Sequence, residues 1–125
     1  MGISVVIITK NEVDRLGPCL ESIKWVDEVL VSDTFSSDGT VGIAKRHGAT
    51  VFEEVWKGYS AQKNALIERA RHEWILSVDA DERLTPELIE EMKGTVARGA
   101  ADGFAIPRRS EFLGRWITGS GWYPD

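Results

Sequence analysis

The residues Ile3 to Thr9, ISVVIIT, are a near-continuous run of β-branched and apolar side chains that ends in Lys10, Asn11 and Glu12. A strand with one wet face alternates polar and apolar residues, whereas a strand covered on both faces reads apolar throughout, which is the pattern of a central strand in a parallel sheet. Parallel neighbours cannot be joined by a tight hairpin, so the chain must supply crossover segments, usually helices. The spacing of apolar residues supplies them. Leu16, Leu20 and Ile23 recur at helical intervals, with Gly17-Pro18 expected to delay or distort the first turn. A second strand is expected over 28–33. Ser36-Ser37-Asp38-Gly39-Thr40 then gathers turn and cap residues ahead of a helix carrying Val41, Ile43 and Ala44, which His47-Gly48 should stop. A short strand is expected over 50–53 and a helix over 60–70 with Ala61, Ala65, Leu66 and Ala70 inward. A strand over 73–78 follows, and then a helix opened by Thr85-Pro86-Glu87 and running to about Ala97.

Strands alternating with helices of this length imply an α/β fold: an open, twisted, mostly parallel sheet with helices on both faces, a three-layer sandwich. With 125 residues, 42% of them hydrophobic, one domain over residues 1–125 is expected. Residues 1–102 read as successive βα units. After 103–107 the texture changes to RRSEFLGRWITGSGWYPD, rich in aromatics, arginine and glycine, which does not read as another βα unit. Because the chain stops after Tyr123-Pro124-Asp125 with no closing element, it reads as a piece truncated at its C-terminus.

Fifteen Lys and Arg against 20 Asp and Glu give a formal charge of −5, a field that repels nucleic acid and anionic headgroups, so no nucleic-acid partner is expected and any anionic ligand must be met locally. Cys19, the only cysteine, excludes an internal disulfide and reads as a buried thiol on an apolar helix face. No apolar run approaches the roughly 20 residues of a membrane span and no signal peptide is recognisable, so cytoplasmic residence is the expectation.

In open α/β sheets ligands bind outside the carboxyl ends of the strands, near the point where strand order reverses. Thr9, Lys10, Asn11 and Glu12 stand at the end of the first strand, Asp33 at the end of the second, and Asp79 and Asp81 beyond the last. On an extended segment residues i and i+2 point the same way, so Asp79 and Asp81 are expected to share a face, with the small Ala80 between them letting a ligand approach the backbone. Paired carboxylates suit Mg2+ or Mn2+, hard cations that take one or two protein oxygens and complete their shell with water and phosphate. The bland reading of Asp79-Ala80-Asp81 is a helix cap beside a surface acid. Asp33 has two readings, a cap for the turn before Thr40 or an acceptor for a ribose or base. Lys63 has two also, a solvated cation or a partner for a base or phosphate, and Asn11 and Glu12 are either ligand contacts or the entry to the first helix. A Gly-x-Gly-x-x-Gly after the first strand, a P-loop and a nucleophile elbow are all absent, and His47 and His72 fall away from the strand ends.

Taken together, SVVIITKNE, VLVSDTFSSDGT, GYSAQKNALIERA and WILSVDADERLTPEL resemble, in order and spacing, the inverting nucleotide-sugar glycosyltransferases of family two, which have the GT-A fold. The tail DGFAIPRRSEFLGRWITGSGWYPD is similar to a subgroup related to the lipopolysaccharide core glucosyltransferases. The resemblance implies that Thr9, Asn11 and Glu12 border the nucleotide, that Asp33 meets the base or ribose and Lys63 lies beside the uracil, and that Asp79 and Ala80 line the donor site. Asp79 would contact the ribose or support a Mn2+ or Mg2+ ion, and Asp81 would ligate it. It implies transfer of a sugar from a nucleotide donor of the UDP type to a saccharide or lipid-linked acceptor in cell-envelope glycan synthesis, at the inner face of the membrane. A carboxylate base is expected late in the chain, where Asp125 stands, or beyond it. Residues 103–125 would begin the acceptor side, where Arg108, Arg109, Trp116, Trp122 and Tyr123 either hold the acceptor or, in the case of the tryptophans, close the core. Relatives usually read Asp-Ser-Gly-Ser-Thr-Asp after the second strand; Thr34-Phe35 stands here in place of Ser-Gly. A sugar nucleotidyltransferase would share the architecture but wants a glycine-rich basic loop where TKNEVDRLG stands. A nucleotide-sugar-binding module without transfer activity is the non-enzymatic alternative.

Overall fold

The computed structural model describes residues 2–98 and 115–117. Five parallel strands form one sheet in the order β3-β2-β1-β4-β5: β1 is Ile3–Thr9, β2 Glu28–Asp33, β3 Thr50–Glu53, β4 Trp74–Ser77 and β5 Arg115–Ile117. Between them run α1 (Val13–Ser22), α2 (Thr40–Arg46), α3 (Tyr59–Arg69) and α4 (Pro86–Arg98). Chain order moves outward from β1 to β2 to β3, then returns to place β4 on the other side of β1. The reversal therefore falls between β1 and β4.

The apolar run of β1 divides by alternation, as a pleated strand requires. Ile3, Val5 and Ile7 join Leu16, Cys19 and Leu20 of α1, Ala44 of α2 and Met92 of α4 in the larger core. Val6 turns to the other face and packs with Leu30, Ile75 and the α3 residues Leu66 and Ile67. Three helices thus cover one face and α3 the other, the three-layer arrangement expected from the sequence. β1, β2 and β4 each contribute to both cores, and β1 lies between the other two.

Element limits agree with the sequence expectations to within a residue or two, with three differences. First, α1 begins cleanly at Val13, where the amides of Arg15 and Leu16 both donate to Glu12 O at 3.0 and 2.9 Å, and Gly17-Pro18 lies inside the helix rather than disturbing its first turn. Pro18 has no amide hydrogen for the carbonyl one turn back, and the helix tolerates this because its buried stripe of Leu16, Cys19 and Leu20 is anchored to the sheet. Second, α3 does not bury the alanine face: Ala61 is exposed and Gln62, Lys63, Leu66 and Ile67 face inward. Third, the C-terminal segment adds a strand, with Arg115, Trp116 and Ile117 in parallel register with Trp74, Ile75 and Leu76. Gly48, at φ +84°, ends α2 in the left-handed conformation that glycine adopts without a Cβ penalty.

Removing the proline defect tests the reading of α1. Pro18→Ala should raise the unfolding free energy by about 1 kcal/mol or more, because alanine restores a helical amide at a position where proline typically costs about 3 kcal/mol. Urea denaturation checks it, and an unchanged or lowered midpoint at constant slope would show that the ring's packing outweighs the lost bond.

Candidate active site

The ends of β1 and β2 are locked side by side. Thr9 and Asp33 are register partners, and the Thr9 hydroxyl donates to Asp33 Oδ1 at 2.6 Å, both side chains being buried. Asp33 also accepts the Ser36 amide at 2.8 Å and the Ser36 hydroxyl at 2.6 Å, so its carboxylate holds the β2–α2 turn. The bonds of the turn reading are present. Lys10 reaches across the same boundary and donates to the carbonyls of Thr34 and Phe35 at 2.8 and 3.2 Å. Asn11, at φ +54°, accepts the Ser37 amide through Oδ1 at 2.9 Å and donates its own amide to Ser36 Oγ at 2.7 Å. The Glu12 amide donates to Thr40 Oγ1 at 2.9 Å, and the Glu12 carboxylate lies 3.0 Å from the Arg15 guanidinium. Asp38, held below the usual carboxylate range by its bond from the Thr40 hydroxyl, completes the connection by accepting the Thr40 amide at 2.9 Å.

Phe35 is the residue that replaces a glycine in the resembled motif, and its φ is +48°. A left-handed conformation is costly for a side chain with a Cβ, so the usual glycine follows from the backbone of this turn. The Phe35 side chain is itself exposed.

On the other side of β1, β4 ends at Ser77, and Asp79-Ala80-Asp81-Glu82 forms a turn closed by the Glu82 amide donating to Asp79 O at 3.0 Å. The Asp79 amide donates back to Glu82 Oε1 at 2.9 Å. The expectation of an extended segment is therefore corrected: a turn, not strand alternation, brings Asp79 and Asp81 to one cavity. Ala80 is buried, and beneath the turn the Cys19 thiol donates to Asp79 O at 3.6 Å. Burial, reinforced by the charges of Glu82, Asp81 and Asp79, pushes this thiol up to about 12. It is a structural group.

α3 supplies the third wall. Its Tyr59 hydroxyl donates to Asp79 Oδ1 at 2.9 Å. One turn on, Lys63 lies 3% exposed, with its ammonium 5.3 Å from the Tyr59 ring centroid and bonded to Ser77 Oγ. Lys63 is thus no solvated cation. Burial lowers its pKa to about 8 against the opposing pull of Asp79 and Glu82. Gln62 fixes the loop before α3: its Nε2 donates to Ser32 Oγ at 2.9 Å and its Oε1 accepts the Lys57 amide at 3.1 Å. Ser32 in turn donates to Glu54 at 3.0 Å, and Arg69, 2.5 Å from that carboxylate, lies over the Phe52 ring.

These parts enclose a cleft of about 330 Å³ at the C-terminal edge of the sheet, lined by Ile8, Thr9, Lys10, Glu12, Thr34, Trp56, Tyr59, Asp79, Ala80 and Asp81. It spans β1 and β4, the point where strand order reverses. Thr9, Glu12, Asp79, Ala80 and Asp81 of the sequence-derived set meet there. Asn11, Asp33 and Lys63 are not among the lining residues: Asp33 and Lys63 are buried, and Asn11 is exposed on the neighbouring loop. Trp56 and Tyr59, about half exposed, were not singled out from the sequence; the visible signal is two aromatics flanking Gly58 directly after a strand end. Arg108, Arg109, Trp122, Tyr123 and Asp125 lie outside the described residues, and of Trp116 the structure describes its place on β5.

Among the described residues no group of three or more His, Cys, Asp or Glu is arranged to enclose a metal ion. Two carboxylates on one turn, one exposed and one half-buried, with all-oxygen chemistry, do fit a hard divalent cation that keeps water and phosphate in most of its shell. They do not fit a cage built from protein alone.

Residues 4–122 match Glycosyl transferase family 2. The chain is 46% identical over 92 residues to an uncharacterised glycosyltransferase of Rickettsia felis, covering 73% of this chain and 32% of that protein. It is 32% identical over 124 residues to the lipopolysaccharide core biosynthesis glycosyltransferase LpsC of Rhizobium meliloti, covering 93% of this chain and 45% of LpsC. The chain therefore spans about a third to a half of the length of these relatives. Among solved structures, mannosyl-3-phosphoglycerate synthase from Rubrobacter xylanophilus superposes with a TM-score of 0.68 at 26% identity, over 84% of this chain and 38% of that one. Glucosyl-3-phosphoglycerate synthase from Mycobacterium tuberculosis, solved with Mn2+, UDP and glucosyl-3-phosphoglycerate, shares the fold with a TM-score of 0.67 at 23% identity, over 83% and 42% of the two chains.

Two predictions follow from the strained turn and the buried ammonium. Phe35→Gly should stabilise the fold by about 0.5–1 kcal/mol, the relief of a left-handed side chain less the added freedom of the unfolded glycine; a thermal melt at or below wild type would refute it. Lys63, whose folded pKa of about 8 lies below its ordinary 10.5, binds fewer protons folded than unfolded across that interval, so it makes stability rise with pH there. Relative to Lys63→Met, the wild type should gain about 1 kcal/mol between pH 8 and pH 9. The difference also cancels the opposing loss above pH 9 from Cys19. Parallel stability curves would show the lysine to be unperturbed.

Proposed function

Since the chain belongs to glycosyl transferase family 2, we propose that its cleft is the donor half of a metal-dependent inverting glycosyltransferase that moves a sugar from a UDP-type nucleotide to a saccharide or lipid-linked acceptor in cell-envelope glycan synthesis. One observation carries this: the polar ends of β1 and β4 and the aromatic pair Trp56 and Tyr59 line a single cleft at the reversal of strand order. The similarity to LpsC and to a GT-A enzyme solved with UDP and Mn2+ supports the substrate class and sets the probes.

In this reading Thr9 and Glu12 border the nucleotide, Trp56 offers a flat apolar face to it, and Ala80 keeps the wall low enough for a diphosphate to approach the turn. Asn11 and Asp33 act at one remove, by fixing the loop that shapes the nucleotide wall. Asp81 and Asp79 would hold the cation, which when bound neutralises the charge that builds on the departing diphosphate. An acceptor hydroxyl attacks the anomeric carbon from the side opposite the diphosphate, and the configuration inverts. A carboxylate base takes the hydroxyl proton, a role proposed for Asp125 or a residue of the whole protein beyond it. Residues 103–125, with Arg108, Arg109, Trp116, Trp122 and Tyr123, are assigned to the acceptor side. No described helix is long and apolar enough to cross a membrane. A lipid-linked acceptor met at the cytoplasmic face of the membrane is part of this proposal.

UDP and Mn2+ together should raise the melting temperature more than the sum of their separate effects, corresponding to about 2.7 kcal/mol when ligand exceeds its Kd 100-fold. Asp81→Asn should abolish the Mn2+-dependent part while leaving a UDP response. Full retention of the joint shift in Asp81→Asn would remove the metal assignment, and no response of the wild type to either ligand would remove the donor-site reading.

A further inference from the structure

Asp79 is oriented by a closed circuit of side chains rather than by the turn alone. The Tyr59 hydroxyl donates to Asp79 Oδ1 at 2.9 Å. Lys63, one helical turn along α3, sets its ammonium 5.3 Å from the Tyr59 ring centroid, and the same ammonium is bonded to Ser77 Oγ at the end of β4, two residues before Asp79. The path from Ser77 through Lys63 and Tyr59 to Asp79 thus starts and ends on one strand terminus and passes through α3 between.

Two physical features make this more than packing. Keeping an ammonium at 3% exposure is costly, and an apolar side chain of similar length would fill the same space without that cost, so the charge has a use. A cation against the face of a phenol draws electron density from the ring and makes its O–H a stronger donor, which is the direction needed by a carboxylate acceptor. Tyr59 itself is 45% exposed and lines the cleft, so its hydroxyl meets Asp79 on the side from which a ligand enters.

We propose that Tyr59 is a positioning residue of the donor site: supported from beneath by Lys63, its hydroxyl holds the Asp79 carboxylate at the cleft in readiness for a divalent cation. This rests on the donor-site reading above. Tyr59 does its work through Asp79, and Lys63 does its work through Tyr59, so neither needs to touch the nucleotide.

The test is a pair of titrations on the chain carrying Tyr59→Phe, which keeps the ring over Lys63 and removes only the hydroxyl. UDP affinity is measured in EDTA, and Mn2+ half-saturation is measured at fixed UDP. The expected result is a metal-free UDP Kd within about twofold of wild type and a Mn2+ half-saturation raised about fivefold, the scale of one lost hydrogen bond to a charged group. Lys63→Met should move the same two readouts in the same directions by a smaller factor, and it decides the matter if Tyr59→Phe does not fold. A wild-type Mn2+ half-saturation in the variants overturns the proposal. So does a metal-free UDP Kd that rises by the same factor as the Mn2+ value, since general loosening of the cleft would do that. A wild-type chain that answers to neither UDP nor Mn2+ overturns the donor-site reading itself, whereas a responsive wild type with unaffected variants overturns the role of Tyr59 alone.

Discussion

The burial of β1 on both faces is the constraint from which the rest follows. With Ile3, Val5 and Ile7 committed to one core and Val6 to the other, the strand has little side-chain surface left for chemistry until it ends at Thr9. Function is therefore pushed to the carboxyl end. Because β2 and β4 flank β1 on opposite sides, the loops that follow them run in opposite lateral directions and leave a gap at the carboxyl end of β1. The cleft is a consequence of that topology before any particular residue is considered.

What the residues add is rigidity on each bank of the gap. The β1–β2 bank is tied by Thr9 to Asp33, Lys10 to the carbonyls of Thr34 and Phe35, and Asn11 to Ser37. The β4 bank is a single turn held from inside by Glu82 and from below by Cys19. A buried carboxylate such as that of Asp33 is tolerable only when its oxygens are paired, and three donors on it make the bank stiff as well as stable. This also explains why the strained Phe35 backbone persists: its neighbours are over-determined by bonds that the exposed ring does not take part in.

Most of the fold was legible because local pattern and tertiary demand agree. β-branched runs became strands, and Thr85, whose hydroxyl accepts the Leu88 amide at 3.2 Å, capped the last helix as its position before Pro86 implied. The failures sit where tertiary context overrode local signals. Pro18 is a breaker by its own chemistry, yet the apolar stripe on either side of it holds α1 together. In α3 the alanines carried the apolar signal, but the sheet there offers Ser32 and Ser77, so the helix turns Gln62 and Lys63 inward to meet them. A polar face buried against polar partners has no apolar period to detect. β5 escaped because three residues are too few to show alternation in a stretch dominated by glycine and aromatics.

The same mismatch separates the residues of the site that sequence reasoning could name from those it could not. Polar residues at strand ends stand out by type and place, and Thr9, Glu12, Asp79 and Asp81 are legible in that way, although Asp79 and Asp81 converge through a turn rather than through strand alternation. Asp33, Asn11 and Lys63 are named from the sequence too, each with a second reading as a local structural group, and the structure shows the bonds by which they hold the turn and α3 in place. Identity in a motif marks a residue as belonging to a site without saying on which side of the lining it stands. Burial and partners decide that: an acid with three donors on it, or a lysine closed off beneath a tyrosine ring, shapes the cleft by holding others still. Chemistry at such a site depends on geometry kept to fractions of an ångström, so the supports and the lining form one unit, and a change in α3 can reach the Asp79 turn without any contact between α3 and the bound nucleotide.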